Sequence, residues 1–126
     1  MVQFLWICLG GALGTGSRYL VGLGALKFFG EGFPYGTLTV NLLGSFLISL
    51  VMYLSLDAAV LSAPMRMFLT TGFMGGFTTY SSFNYETLKL FQGGAFMLGT
   101  ANVLGTLVGC ALAGLLGLFV AARIAG

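Results

Sequence analysis

Between Gly72 and Glu86 the chain reads GFMGGFTTYSSFNYE, inside an otherwise apolar segment. Three glycines, which weaken a helix, precede four serine or threonine hydroxyls within five residues, with the aromatics Tyr80 and Phe83 among and after them. At bilayer depth, such residues do one kind of chemistry well: backbone and hydroxyl dipoles replace the hydration shell of an ion. Unpaired backbone in hydrocarbon costs several kcal/mol per group, so irregular chain persists there only where protein or a lined cavity surrounds it. The stretch therefore reads as an ion or substrate site.

Two further polar tracks recur at helical spacing. Asn41, Ser45 and Ser49 share one face at i, i+4, i+8, and Asn102, Thr106 and Cys110 share another. For serine and threonine alone, interhelical hydrogen bonds worth about 0.6 kcal/mol each would be a sufficient reason. An asparagine is costlier to leave unpaired, because it carries two donors and an acceptor, and two near mid-span favour a lined pathway. Tyr80 and Phe83 lie three residues apart on one face, and the positive edges of such rings can meet an anion without any fixed charge. Arg18 lies about 13 Å along a helix from Lys27. Two readings of it are open: a snorkelling side chain, or a buried structural cation bonded to backbone carbonyls. Glu86 either snorkels or caps local backbone donors. Asp57 and Glu31 fall in loops and are solvated.

These groups need elements that hold them within a membrane. The chain has 126 residues, 58% hydrophobic and 6% charged, whereas a soluble domain carries roughly a quarter charged residues. Four apolar segments of at least about 20 residues are expected to span, at about 4–29, 35–56, 64–91 and 95–122 of a single membrane domain covering 1–126. The fold expected is an all-α membrane protein of four transmembrane helices, the third broken mid-membrane. Pro34 and Pro64 fall at helix starts, where a missing N–H does no harm. The first segment lacks a basic leader and contains Arg18, so it reads as a retained span. Absence of histidine excludes a histidine metal site and a histidine acid–base pair. Cys8 and Cys110 lie in apolar segments and read as small packing residues, not a disulfide. A net charge of +2 gives no basis for nucleic-acid binding.

Charge placement leaves orientation undecided. With the N-terminus inside, Arg66 and Arg123 face the cytoplasm, and Lys27 and Lys89 lie outside. Either an unseen factor fixes one topology, or the chain inserts both ways and pairs as an antiparallel dimer; the balance favours the second. Ala101, Gly105, Gly109, Ala113 and Gly117 recur every four residues, and Gly10 and Gly14 repeat the spacing. Such ridges let helices approach closely, either between subunits or within one.

Three blocks in order resemble the small bacterial fluoride channels of the Fluc (CrcB) family. They are GGALG from Gly10 to Gly14 with Arg18 and Tyr19, FPYGTLTVNLLGSF from Phe33 to Phe46, and GFMGGFTTYSSF from Gly72 to Phe83 with Glu86. The resemblance implies an antiparallel, dual-topology homodimer in the bacterial inner membrane, with two fluoride pathways and a structural Na⁺ between subunits. On this chain the Na⁺ would be held by the Gly75 and Thr78 carbonyls. The pathway would be lined by Asn41, Tyr80, Phe83, Asn102, Thr106 and Cys110, with Arg18 at the subunit interface. Tyr80 departs from the family's phenylalanine, Asn102 from a frequent aromatic hydroxyl, and Cys110 from a common hydroxyl. These departures bear on conduction more than on fold.

Fluoride is small and strongly hydrated, so its pathway must replace water's donors. On this reading the Asn41 amide hydrogens, the Ser81, Ser82 and Thr106 hydroxyls and the ring edges would supply them in a narrow bore. No catalytic cycle is needed, and passive efflux is the expected activity, not enzymatic turnover. A small multidrug transporter is the leading rival, but its proton coupling needs a carboxylate in the first helix, where this chain has only Arg18 and Lys27 as charges. A non-transporting assembly subunit explains the glycine ridges and neither polar track.

Overall fold

The computed structural model describes residues 1–126 and is helical throughout, without strands. Helix α1 covers Val2–Phe29 and ends at Gly30, whose φ of 80° turns the chain while its N–H bonds the Leu26 carbonyl at 3.0 Å. Helix α2 covers Tyr35–Met52 and runs on as a π-helical turn over Tyr53–Asp57. The third segment is composite. Ser62 caps α3 (Ala63–Met67), accepting from the Met65 N–H at 3.3 Å, and a π-helical stretch over Phe68–Met74 leads into the short α4 (Gly75–Phe77). Thr78 and Thr79 are then extended, and α5 resumes over Tyr80–Gln92. Helix α6 covers Phe96–Ala125.

Two helices are long and apolar enough to cross a membrane: Tyr35–Asp57, with mean hydropathy 1.8, and Phe96–Ala125, with 2.3. Only 11% of the most apolar 18-residue stretch of each is buried within the chain, whereas the core helix of a soluble protein is mostly covered. Their apolar faces look outward, as a lipid surrounding requires, and the chain is a membrane protein. Helix α1 carries Arg18 amid its glycines, and the third segment is interrupted, so neither meets the same measure.

The interior is small. Val40, Met74 and Phe77 form its centre, with Val21, Leu47 and Phe73 against them. Around it the helices approach through glycine. A Cβ on Gly10 would stand 2.8 Å from the Phe68 carbonyl oxygen, and one on Gly14 would collide with that of Phe73. From the opposite surface, Gly72 meets Ile7 and Gly76 meets Gly11 in the same way. Both helices thus present glycines four residues apart, and the Gly10/Gly14 ridge serves packing inside one chain. The ridge on α6 divides: Gly117 abuts the Phe46 backbone and Gly109 faces Leu42, while Gly105 has nothing within 4 Å.

Candidate functional site

In a continuous helix the Thr79 N–H would bond the Gly75 carbonyl. Here it donates instead to Asn41 Oδ1 at 2.9 Å, and Asn41 Nδ2 donates to the Thr79 carbonyl at 3.0 Å. One side chain of α2 therefore completes both backbone groups of an extended residue. Thr79 in turn accepts from the Ser82 N–H through Oγ1 at 3.2 Å and caps α5. Arg18 Nε donates to the Gly76 carbonyl at 2.9 Å, supplying the partner that the interruption removed. Of the two open readings of Arg18, the carbonyl-bonded one describes this contact. No side-chain, turn or loop hydrogen bond ends on the carbonyls of Gly75 or Thr78. The site thus places free carbonyls at the end of α4 beside the positive N-terminus of α5.

A groove of about 350 Å³ opens at this point. It is lined by Asn41, Thr78, Tyr80, Phe83, Thr106 and Cys110, by the further hydroxyls of Ser45, Thr70 and Thr79, and by Gly75 and apolar neighbours, and no charged side chain borders it. Thr106 is 8% exposed, and its hydroxyl has no hydrogen-bond partner. The Tyr80 and Phe83 rings meet edge to face, centroids 5.7 Å apart at 63°. Phe83 is buried and Tyr80 is 76% exposed on the single chain.

The remaining expected site residues lie elsewhere. Ser82, Arg18 and Glu86 line a second, larger groove of about 680 Å³ with Lys89. There Thr37 Oγ1 donates to Glu86 Oε1 at 2.6 Å, so the carboxylate is held by a hydroxyl of α2. Ser81 is exposed, 3.5 Å from the Thr79 hydroxyl, and lines neither groove. Asn102 is 1% exposed, sits outside both grooves, and donates through Nδ2 to Thr87 Oγ1 at 2.8 Å.

Thr37 and Thr87, which the sequence reading passed over, and Thr79, counted there only among the hydroxyls of the glycine-threonine stretch, are therefore structural partners of the residues it singled out. Thr37 lies one turn before Asn41 on the same face of α2, and Thr87 lies one turn after Phe83 on α5, spacings that could have drawn attention to both. Thr79 precedes a helix start, the usual place of a capping hydroxyl.

Chemically, the smaller groove offers hydroxyls, an amide and ring edges without a carboxylate to repel an anion. The comparisons with known proteins agree in kind. The fluoride-specific ion channel FluC of Anaeromyxobacter sp. (strain K) is 52% identical over 113 residues, 90% of each chain. That of Sorangium cellulosum is 48% identical over 124 residues, 98% of each chain, and that of Geobacter metallireducens 44% over 124 residues, covering 98% of this chain and all of the relative. Residues 5–118 match the family described as "CrcB-like protein, Camphor Resistance (CrcB)". Matched over nearly all its length by profile and relatives alike, the chain belongs to the CrcB family of fluoride channels.

Proposed function

We propose that this chain is the subunit of a fluoride-specific channel that lets fluoride leave the cell passively. The observation that carries the reading is the unpartnered Thr106 hydroxyl, buried on an uncharged groove beside Asn41, Tyr80 and Phe83. A buried hydroxyl without a partner is costly, and a small anion that moves the groove lining aside would offer it an acceptor. Asn41 spends one amide hydrogen on Thr79 and keeps a second for the ion. Ring edges add weak attraction, and weak attraction is what conduction needs, since the ion must also leave. Ser81, Ser82 and Cys110 complete the proposed polar lining, Ser81 through rearrangement or assembly because it borders no groove of the single chain, and Asn102 supports that lining from behind. The gradient drives the flow, and no enzymatic step is involved. Fluoride enters cells as its neutral acid, so an anion pathway lowers the ion retained inside.

The active form in this reading is an antiparallel homodimer with dual topology in the bacterial inner membrane, each chain crossing four times. Both grooves lie open along the single chain, and a second copy gives them a wall. The carbonyls of Gly75 and Thr78 fit a structural Na⁺: they are hard oxygen donors released by the interruption and free of other partners. Two oxygens do not close a shell, so the partner's equivalent pair would complete it. When bound, the ion supplies fixed positive charge at the subunit contact, where Arg18 already bonds the adjacent Gly76 carbonyl.

Purified protein in liposomes loaded with fluoride decides the matter. Efflux of fluoride with retention of chloride is expected. Proton-coupled export of an organic cation would support the multidrug-type alternative, and no transport at all would support an assembly subunit.

A further inference from the structure

Asn102 and Thr87 form the one hydrogen bond in the chain that joins two buried side chains of different helices. The Thr87 hydroxyl, 5% exposed, receives the Asn102 amide hydrogen at 2.8 Å and passes its own to the Phe83 carbonyl at 2.7 Å. The three groups make a directional chain, amide to hydroxyl to carbonyl, running from α6 into the turn of α5 that carries the Phe83 ring. Hydrogen bonds in such a chain polarise one another, and a buried chain with every link made fixes a single arrangement.

The surroundings give this chain a task. Helix α5 begins at an interruption, so its start cannot inherit its position from the preceding helix. Asn41 of α2 holds that start through the Thr79 backbone. At the other end, Gly99 of α6 lies so close to the Phe91 ring that a Cβ would stand 2.8 Å from it. Phe83 sits between these anchors, its ring on the groove and its carbonyl at the end of the Asn102–Thr87 chain. A threonine that bonds its i−4 carbonyl leaves the local helix slightly bent and adjustable, and an outside donor on its oxygen removes that freedom.

We propose that Asn102 and Thr87 are positioning residues for Phe83, setting the depth and tilt of the ring in the groove and through it the discrimination between fluoride and larger anions. This rests on the channel reading above. It gives Asn102 a part in conduction without contact with the ion, consistent with its place outside the groove.

Thr87→Val keeps shape and removes the hydroxyl; Thr87→Ser keeps the hydroxyl; Asn102→Leu removes the donor and leaves Thr87 bonded to Phe83. In liposomes, Thr87→Val and Asn102→Leu should each lower fluoride flux roughly three- to tenfold, the range set by one interhelical side-chain hydrogen bond in a membrane, and should raise the chloride leak. Thr87→Ser should stay within about twofold of the parent, and the Thr87→Val/Asn102→Leu double variant should be no worse than either single change. A second readout does not depend on transport. With 4-fluorophenylalanine at position 83, fluorine NMR should give one narrow resonance in the parent and in Thr87→Ser, and a broadened or divided one in Thr87→Val and Asn102→Leu. Parental flux together with a single narrow resonance in Thr87→Val overturns the proposal. So does a Thr87→Ser variant as impaired as Thr87→Val. If the parent passes no fluoride, the channel reading falls, and the resonances still decide whether Asn102 and Thr87 position the ring.

Discussion

Thr106 and Tyr80 border the same groove in opposite conditions. The Thr106 hydroxyl is sealed from water without a partner, and removing an unsatisfied buried hydroxyl relieves about 1–3 kcal/mol of desolvation. Thr106→Val should therefore raise thermal stability in detergent while lowering fluoride flux about tenfold, a trade expected where a functional group is held at a cost to the fold. Equal or higher flux in a stabilised Thr106→Val protein would remove Thr106 from the pathway. Tyr80 projects from the single chain, its ring against Phe83. Its phenol oxygen adds lone pairs that repel an anion and a donor that delays it, so Tyr80→Phe should raise flux roughly two- to threefold at unchanged stability. Identical flux in the two proteins would show that the hydroxyl stands clear of the ion's path.

At the scale of elements, the third segment is held open by side chains from its neighbours. Asn41→Leu strands both the N–H and the carbonyl of the half-buried Thr79, at up to about 1–3 kcal/mol for each group, whereas Asn41→Asp keeps the acceptor and loses only the donor. Thermal unfolding should rank the two variants in that order, Leu the less stable. Gly14→Ala drives a methyl into the Phe73 backbone, and overpacking of that kind costs about 1–3 kcal/mol, while Gly105→Ala meets open space and should be neutral in a single chain. How far these relations were legible beforehand follows from what a sequence encodes. Helix-weakening glycines and adjacent threonines marked the stretch where Thr78 and Thr79 turn extended, because backbone preference is local. The pairing of Asn41 with Thr79, thirty-eight residues on, depends on how two helices are rotated about their axes, and no periodicity reports that. The same rotation decided that Gly10 and Gly14 face the third segment of their own chain, and that Asn102 turns toward Thr87. The π-helical turn at Tyr53–Asp57 carries no compositional mark, and that at Phe68–Met74 only Gly72 near its end.

For the whole molecule, 15 of 126 residues are buried, and Asn41, Tyr80, Phe83, Thr106 and Cys110 lie along an open groove. Lipid suits the apolar faces and leaves the grooves to be covered by protein. Insertion in both orientations would supply a partner related by a twofold axis in the membrane plane. Gly126→Cys in a Cys8→Ser/Cys110→Ser background tests this: an impermeant maleimide added to intact cells should label about half of the protein, as near-even flanking charge predicts. Labelling of all or none would establish a single orientation.

The interruption at Thr78 and Thr79 sets an acceptor end and a donor end of one segment side by side. If the proposed cation binds the carbonyls and an anion binds near the start of α5, the two share a single stretch of backbone, and whatever factor one applies to the other's affinity is returned in equal measure. Were sodium to occupy that site, it would be a thermodynamic effector of fluoride affinity and fluoride one of sodium affinity, with equal factors measured from either side.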